Sequence, residues 1–141
     1  MAPQPVPPAS KTKLEDVRAF LQQLHEKMAI KRPFSLVFKD GQSEHDSRNK
    51  NRRALPHLEE LGISPDAGRR SIIESLVATD YCEGPVANYD PHPNPGDLWV
   101  FGKYIKGEPY YIKMQMGHLN RSCICVSFHP PSSPLRFPFQ R

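Results

Sequence analysis

Tyr111, Lys113 and His129, all in the last third of the chain, bring together the groups needed to move a proton beside a phosphate and to steady charge there. An imidazole accepts or donates a proton near neutral pH. An ammonium group holds a phosphate oxygen, and a phenol donates a hydrogen bond or stacks on a base. Cleaving an RNA strand through its own 2'-hydroxyl without a metal needs such a set. A proton must leave the attacking oxygen, charge must be stabilised on the phosphate, and a proton must reach the departing 5'-oxygen. Glu83 adds another candidate general base, provided the loop carrying it folds over the other three. Each of these residue types is also common on an ordinary surface, so the case depends on whether the fold gathers them.

The elements that must do so lie in the C-terminal half. Residues 97–104, 109–116 and 122–129 are three strand-length runs with short connections, and an antiparallel meander is the simplest topology for them. Pairing Tyr110 with Phe128, Ile112 with Val126 and Met114 with Ile124 gives every apolar residue an apolar partner on one face. The other face then carries Tyr111, Lys113, Gln115, Cys123, Cys125, Ser127 and His129. The same rule in the first hairpin pairs Tyr104 with Tyr110, Gly102 with Ile112 and Val100 with Met114, which puts Trp99, Phe101 and Lys103 on the polar face. Tyr111 and Lys113 are then about 7 Å apart along one strand, with His129 within reach across the strands.

Around this face stand candidate RNA contacts. Lys103 and Lys106 flank it as phosphate ligands. Trp99 either stacks on a base or lies half-buried beneath the preceding loop. Arg48, Lys50, Arg52 and Arg53 form the densest positive run, suited to steering a polyanion.

Upstream, residues 13–28 place Leu14, Val17, Leu21, Leu24 and Met28 at spacings of three and four, the pattern of an amphipathic helix. Residues 34–39 alternate as a strand and end at the turn Asp40-Gly41. After the polar stretch 42–53, a second helix spans 54–61, with Pro56 in its first turn and Gly62 after its end. A third runs from Pro65 to about Ala78 behind the cap Ser64 and buries Ile72 and Leu76, with Arg69 and Arg70 on or beside the solvent side. Residues 80–96 are rich in Pro, Asn and Asp and read as an irregular connection. The expected class is α+β, with N-terminal helices packed on a small antiparallel sheet. Residues 1–10 read as a disordered leader, 11–129 as one folded unit, and 130–141 as a proline-rich tail that either wraps the domain or stays loose.

Composition narrows the function classes. Lys and Arg total 19 against 15 Asp and Glu, a formal charge of +4 that suits a phosphodiester partner without requiring one. Three cysteines cannot form a disulfide framework, and Cys123 and Cys125 have no clustered histidines to complete a zinc site, so neither a metal nor another cofactor is expected. No apolar run approaches the roughly 20 residues of a membrane span, and the N-terminus lacks a signal-peptide pattern. A cytoplasmic location is expected.

Several segments, in order, resemble the MqsR family of type II toxin-antitoxin ribonucleases, a branch of the RelE-like toxins. They are Asn51-Arg52-Arg53-Ala54-Leu55, Glu59-Glu60-Leu61-Gly62-Ile63, Ile72-Ile73 with Leu76, Thr79-Asp80-Tyr81, Leu98-Trp99, Tyr111-Ile112-Lys113 and Cys125-Val126-Ser127-Phe128-His129. The resemblance implies a RelE-like toxin fold and a metal-independent mRNA interferase. Its partners would be single-stranded mRNA, free or ribosome-bound, and a cognate antitoxin protein. It maps the family tyrosine onto Tyr111 and the neighbouring basic residue onto Lys113. Glu83, Val100 and His129 stand where the family has lysine, glutamine and lysine. A strand-end histidine resembles instead the catalytic arrangement of other RelE-like toxins, some of which also use a glutamate, which makes Glu83 and His129 a candidate acid-base pair. The alternative is a noncatalytic RNA-binding or protein-interaction module of the same fold.

Overall fold

A computed structural model describes residues 12–30, 35–41, 48–86, 96–117 and 121–140. The expected leader, residue 34, and residues 42–47 and 87–95 of the two polar connections fall outside them. The amphipathic pattern near the start forms helix α1, Leu14–Ile30, which buries Val17, Phe20, Leu21, Leu24 and Met28. Glu15 and Asp16 in its first turn suit the positive end of the helix dipole, and Asp16 Oδ2 accepts the Lys13 amide at 2.9 Å. No helix of the described residues is long and apolar enough to cross a membrane.

Strand β1, Leu36–Phe38, is followed by α2, Lys50–Glu60, and α3, Ala67–Glu74. Helix α2 begins earlier than its apolar pattern suggests, because Asn49 caps it by accepting the Arg52 amide at 2.9 Å. Pro56 therefore lies inside the helix and not in its first turn. It removes one helix hydrogen bond, and its ring sits on the exposed side. Helix α3 starts at Ala67, two residues after the expected Pro65 and behind Asp66, although Ser64 Oγ still accepts the Gly68 amide at 2.8 Å; it stops before Ser75 and leaves Val77 exposed.

The two arginines expected at the solvent side of α3 are buried. The Arg69 guanidinium forms two hydrogen bonds to Asp40, at 2.9 and 2.6 Å, and its Cζ lies 4.0 Å from the Phe38 ring centroid. Arg70 donates to the Met28 carbonyl at 2.6 Å and to Ser35 Oγ at 2.8 Å. Helical spacing could not reveal this, since the three acceptor residues lie in segments remote in sequence.

The sheet is completed by β2, Tyr81–Val86, β3, Leu98–Ile105, β4, Glu108–Gln115, and β5, Cys123–His129. Its order is β1-β5-β4-β3-β2, with β1 parallel to β5 and the other neighbours antiparallel. The observed class is α+β with a five-stranded mixed sheet, so the expectation of a wholly antiparallel sheet is corrected at its β1 edge. Strand β2 falls in a stretch expected to be irregular. Gly84 and Pro85 gave it the composition of a turn, and the strand tolerates them because it is the other sheet edge and pairs with two register shifts.

The expected meander is present, but both registers differ. Strands β3 and β4 pair Lys103 with Tyr110, Phe101 with Ile112 and Trp99 with Met114, one residue away from the expected match. The cause is a tight turn centred on Lys106 and Gly107, both at positive φ (51° and 86°), which suits a two-residue hairpin. One residue of slip turns Trp99, Phe101 and Lys103 to the helix-covered face. In the second hairpin Ile112 meets Phe128 and Met114 meets Cys125, with a bulge at Val126 between them. The bulge reverses alternation along β5, so Cys123 and Cys125 are buried core residues while Ser127 and His129 stay on the opposite face.

Asn51 holds this bulge. Its amide donates to the Lys39 and Val126 carbonyls at 2.7 and 3.0 Å, and its Oδ1 accepts the Phe128 amide at 2.7 Å. Asn51→Ala would take this partner from the Val126 carbonyl and the buried Phe128 amide, at roughly 1–3 kcal/mol each before any relaxation. Urea unfolding of the variant is expected to report a loss of about 2–3 kcal/mol. A loss below about 0.5 kcal/mol would show that the bulge does not depend on Asn51.

Candidate functional site

With α1 covering one face of the sheet, the other face is left for chemistry, and pairing across the strands arranges it in rows. Glu83, Val100, Lys113 and Ser127 follow one another from β2 to β5, and the neighbouring row on this side runs Gly102, Tyr111, His129. Strand spacing of about 4.8 Å puts the Glu83 and Ser127 backbones roughly 14 Å apart, with Lys113 between. The face is closed into a cavity of about 730 Å³ lined by Glu83, Tyr111, Lys113 and His129, by Lys50 from the start of α2, and by residues 131–136 of the tail.

The local geometry assigns states to these groups. His129 Nδ1 lies 2.8 Å from the Pro130 carbonyl. A carbonyl only accepts, so Nδ1 carries a hydrogen and Nε2 is the nitrogen left to take a proton. Burial lowers the His129 pKa below 6.5; the Pro130 hydrogen bond opposes this, and Lys50 and Lys113 add to the lowering. The imidazole is therefore neutral at physiological pH. Its ring stacks on Tyr111, centroids 5.6 Å apart, and Lys113 Nζ lies 5.6 Å from the same Tyr111 ring centroid. Burial first, and then the Glu83 and Cys82 charges, raise the Tyr111 pKa, so the phenol keeps its proton and serves as a donor. Cys82 also lines the cavity, but burial pushes its thiol up to about 12, which removes it as a nucleophile near neutrality.

No family model, curated protein or solved structure matches the chain.

Four residues singled out in the sequence as catalytic candidates, Glu83, Tyr111, Lys113 and His129, line one cavity, and Lys50 joins them. Other candidate RNA contacts lie elsewhere. Lys103 is on the helix-covered face, paired with Asp80 at 2.9 Å. Trp99 is also on that side, half-buried and stacked on Phe20 with centroids 4.5 Å apart, and lines a separate groove of about 700 Å³ with Asp16, Pro85 and Met116. Lys106 is at the exposed tip of the β3–β4 hairpin, beyond the cavity lining. Arg48, just before α2, and Arg53, within it, are exposed without lining the cavity, and Arg52 Nε donates to the Asp40 carbonyl at 3.0 Å. Among the described residues, no three His, Cys, Asp or Glu side chains form a group that could hold a metal ion.

The sequence reading missed the tail as part of the site. Leu135, Phe137 and Phe139 alternate like the inward residues of a strand, and that pattern was the available signal. Arg136, carried between Leu135 and Phe137, lines the cavity.

Proposed function

We propose that the chain is an endoribonuclease that cleaves single-stranded mRNA by attack of a 2'-hydroxyl, a RelE-like toxin related to the MqsR branch and neutralised by a cognate antitoxin in the cytoplasm. The observation that carries this reading is the meeting of a neutral imidazole, a lysine, a protonated phenol and a carboxyl group in one cavity over one sheet face. His129 Nε2 takes the proton from the 2'-hydroxyl as the O2'–phosphorus bond forms. Lys113 and the Tyr111 hydroxyl hold the phosphate oxygens, where negative charge builds up. The phosphorus–O5' bond breaks, and the departing oxygen takes its proton from water, whose hydroxide is neutralised by the His129 imidazolium; Glu83, across the cavity from His129, is the candidate second base for the 2'-hydroxyl. The products are a 2',3'-cyclic phosphate and a 5'-hydroxyl end.

The test is incubation of the purified protein with end-labelled single-stranded RNA in excess chelator, with and without ribosomes. Fragments carrying those two ends are expected. Intact RNA under both conditions would end the ribonuclease reading, and RNA binding without cleavage would replace it with a noncatalytic RNA-binding module.

A further inference from the structure

We propose that the C-terminal segment 131–136 is a fixed wall of the cavity that admits one strand of nucleic acid, and that Arg136 binds a phosphate flanking the reacting one. This deepens the ribonuclease reading and rests on it for the identity of the ligand.

The wall is fastened at several points. Gly102 lies under the tail, and a Cβ there would meet Leu135 Cδ1 at 2.8 Å and the Phe137 ring at 2.9 Å. The missing side chain thus makes the seat into which the two apolar residues settle. Phe137 packs near Tyr104, with centroids 6.4 Å apart, and Phe139 near Tyr81, at 5.5 Å. Phe139 also joins the partly buried residues around the core. The Arg136 backbone lies near the Cys82 thiol of β2, at the Glu83 end of the cavity.

This attachment decides what fits. A volume of about 730 Å³ is within the range of small-molecule pockets, ~300–1,000 Å³, which is room for about one or two nucleotides and not for paired strands. Lys50 lies on α2, Lys113 on the sheet floor and Arg136 on the wall, so the cationic groups of the lining approach from three elements, with Glu83 the acidic side chain of the lining. A single phosphate placed beside the 2'-hydroxyl that His129 deprotonates is served by Lys113. Cations on separate walls match the repeated charge of a strand that continues past the reacting nucleotide.

The experiment uses the full chain and a fluorescein-labelled oligoribonucleotide that is 2'-O-methylated throughout, so that binding is read without cleavage, together with an unmodified oligonucleotide for rates. Arg136→Ala is expected to weaken anisotropy-measured binding about three- to tenfold and to lower the salt slope by about 0.7, the value for one phosphate contact on a single strand. KM rises by a similar factor, kcat stays within about twofold, and Arg136→Lys restores most of the affinity. Gly102→Val, which unseats the wall, lets a duplex of the same sequence compete where it does not compete with the wild type. Unchanged affinity and salt slope in Arg136→Ala, with normal cleavage by the wild type, overturn this proposal alone. Arg136-dependent binding without any cleavage sustains the wall and overturns the ribonuclease reading. No binding by the wild type overturns both.

Discussion

Replacing His129 with alanine is expected to lower the single-turnover rate of RNA cleavage by about 10²- to 10⁴-fold, the usual worth of a positioned proton-transfer group. The rest of the site should continue to bind RNA, because Lys113, Tyr111 and Lys50 stand on other elements. The pH dependence supplies a second readout. A base works deprotonated, so kcat/KM rises with pH and levels off above the pKa of the free enzyme's imidazole. Burial, aided by Lys50 and Lys113, holds that pKa below 6.5, so the rate is already level at neutrality and falls only in more acidic solution. In His129→Ala this acidic limb should disappear. A variant that cleaves at the wild-type rate, or that keeps the limb, would remove His129 from the chemistry.

The second large effect is on stability. Asp40→Ala leaves the Arg69 guanidinium, whose side chain is 0% exposed, without its carboxylate. Removing one partner of a buried pair costs ~3–5 kcal/mol. The Asp40 side chain is 21% exposed, so the lower end applies, about 3 kcal/mol and roughly a 10 °C fall in Tm for a chain of this size. Asp40→Ala combined with Arg69→Met should recover much of the loss, because no charge is then left stranded over Phe38. Thermal and urea unfolding followed by circular dichroism measure both. A single variant within 0.5 kcal/mol of wild type would mean that solvent reaches Arg69.

The gathering of Tyr111, Lys113 and His129 was legible because it depends on parity. The expected pairing of β4 with β5 was displaced by two residues between Lys113 and the strand end, and an even displacement leaves faces unchanged. The displacement of β3 was odd, so Trp99 and Lys103 were assigned to the wrong side. Its signal was present in the Lys106-Gly107 turn, read as the middle of a longer loop. The bulge at Val126 left no local mark. It depends on Asn51, 75 residues away in sequence, and sequence patterns of period two or 3.6 carry no information about such a partner. Arg69 and Asp40 met for the same kind of reason. The three N-terminal helices were identified by periodicity and caps, while β2 was hidden by its glycine and proline.

The position of β5 between β1 and β4 has a consequence for biosynthesis. Of the strands, it is the one translated last, yet it is the neighbour on which the first strand depends. A nascent chain that has emerged only as far as β4 has no seat for β1, carries an open β4 edge and lacks the imidazole. Closing contacts so remote along the chain is slow compared with hairpin formation. On the proposed function, activity toward RNA would therefore be acquired only once β5 is in place, so a chain that has emerged only as far as β4 would leave the message that encodes it intact.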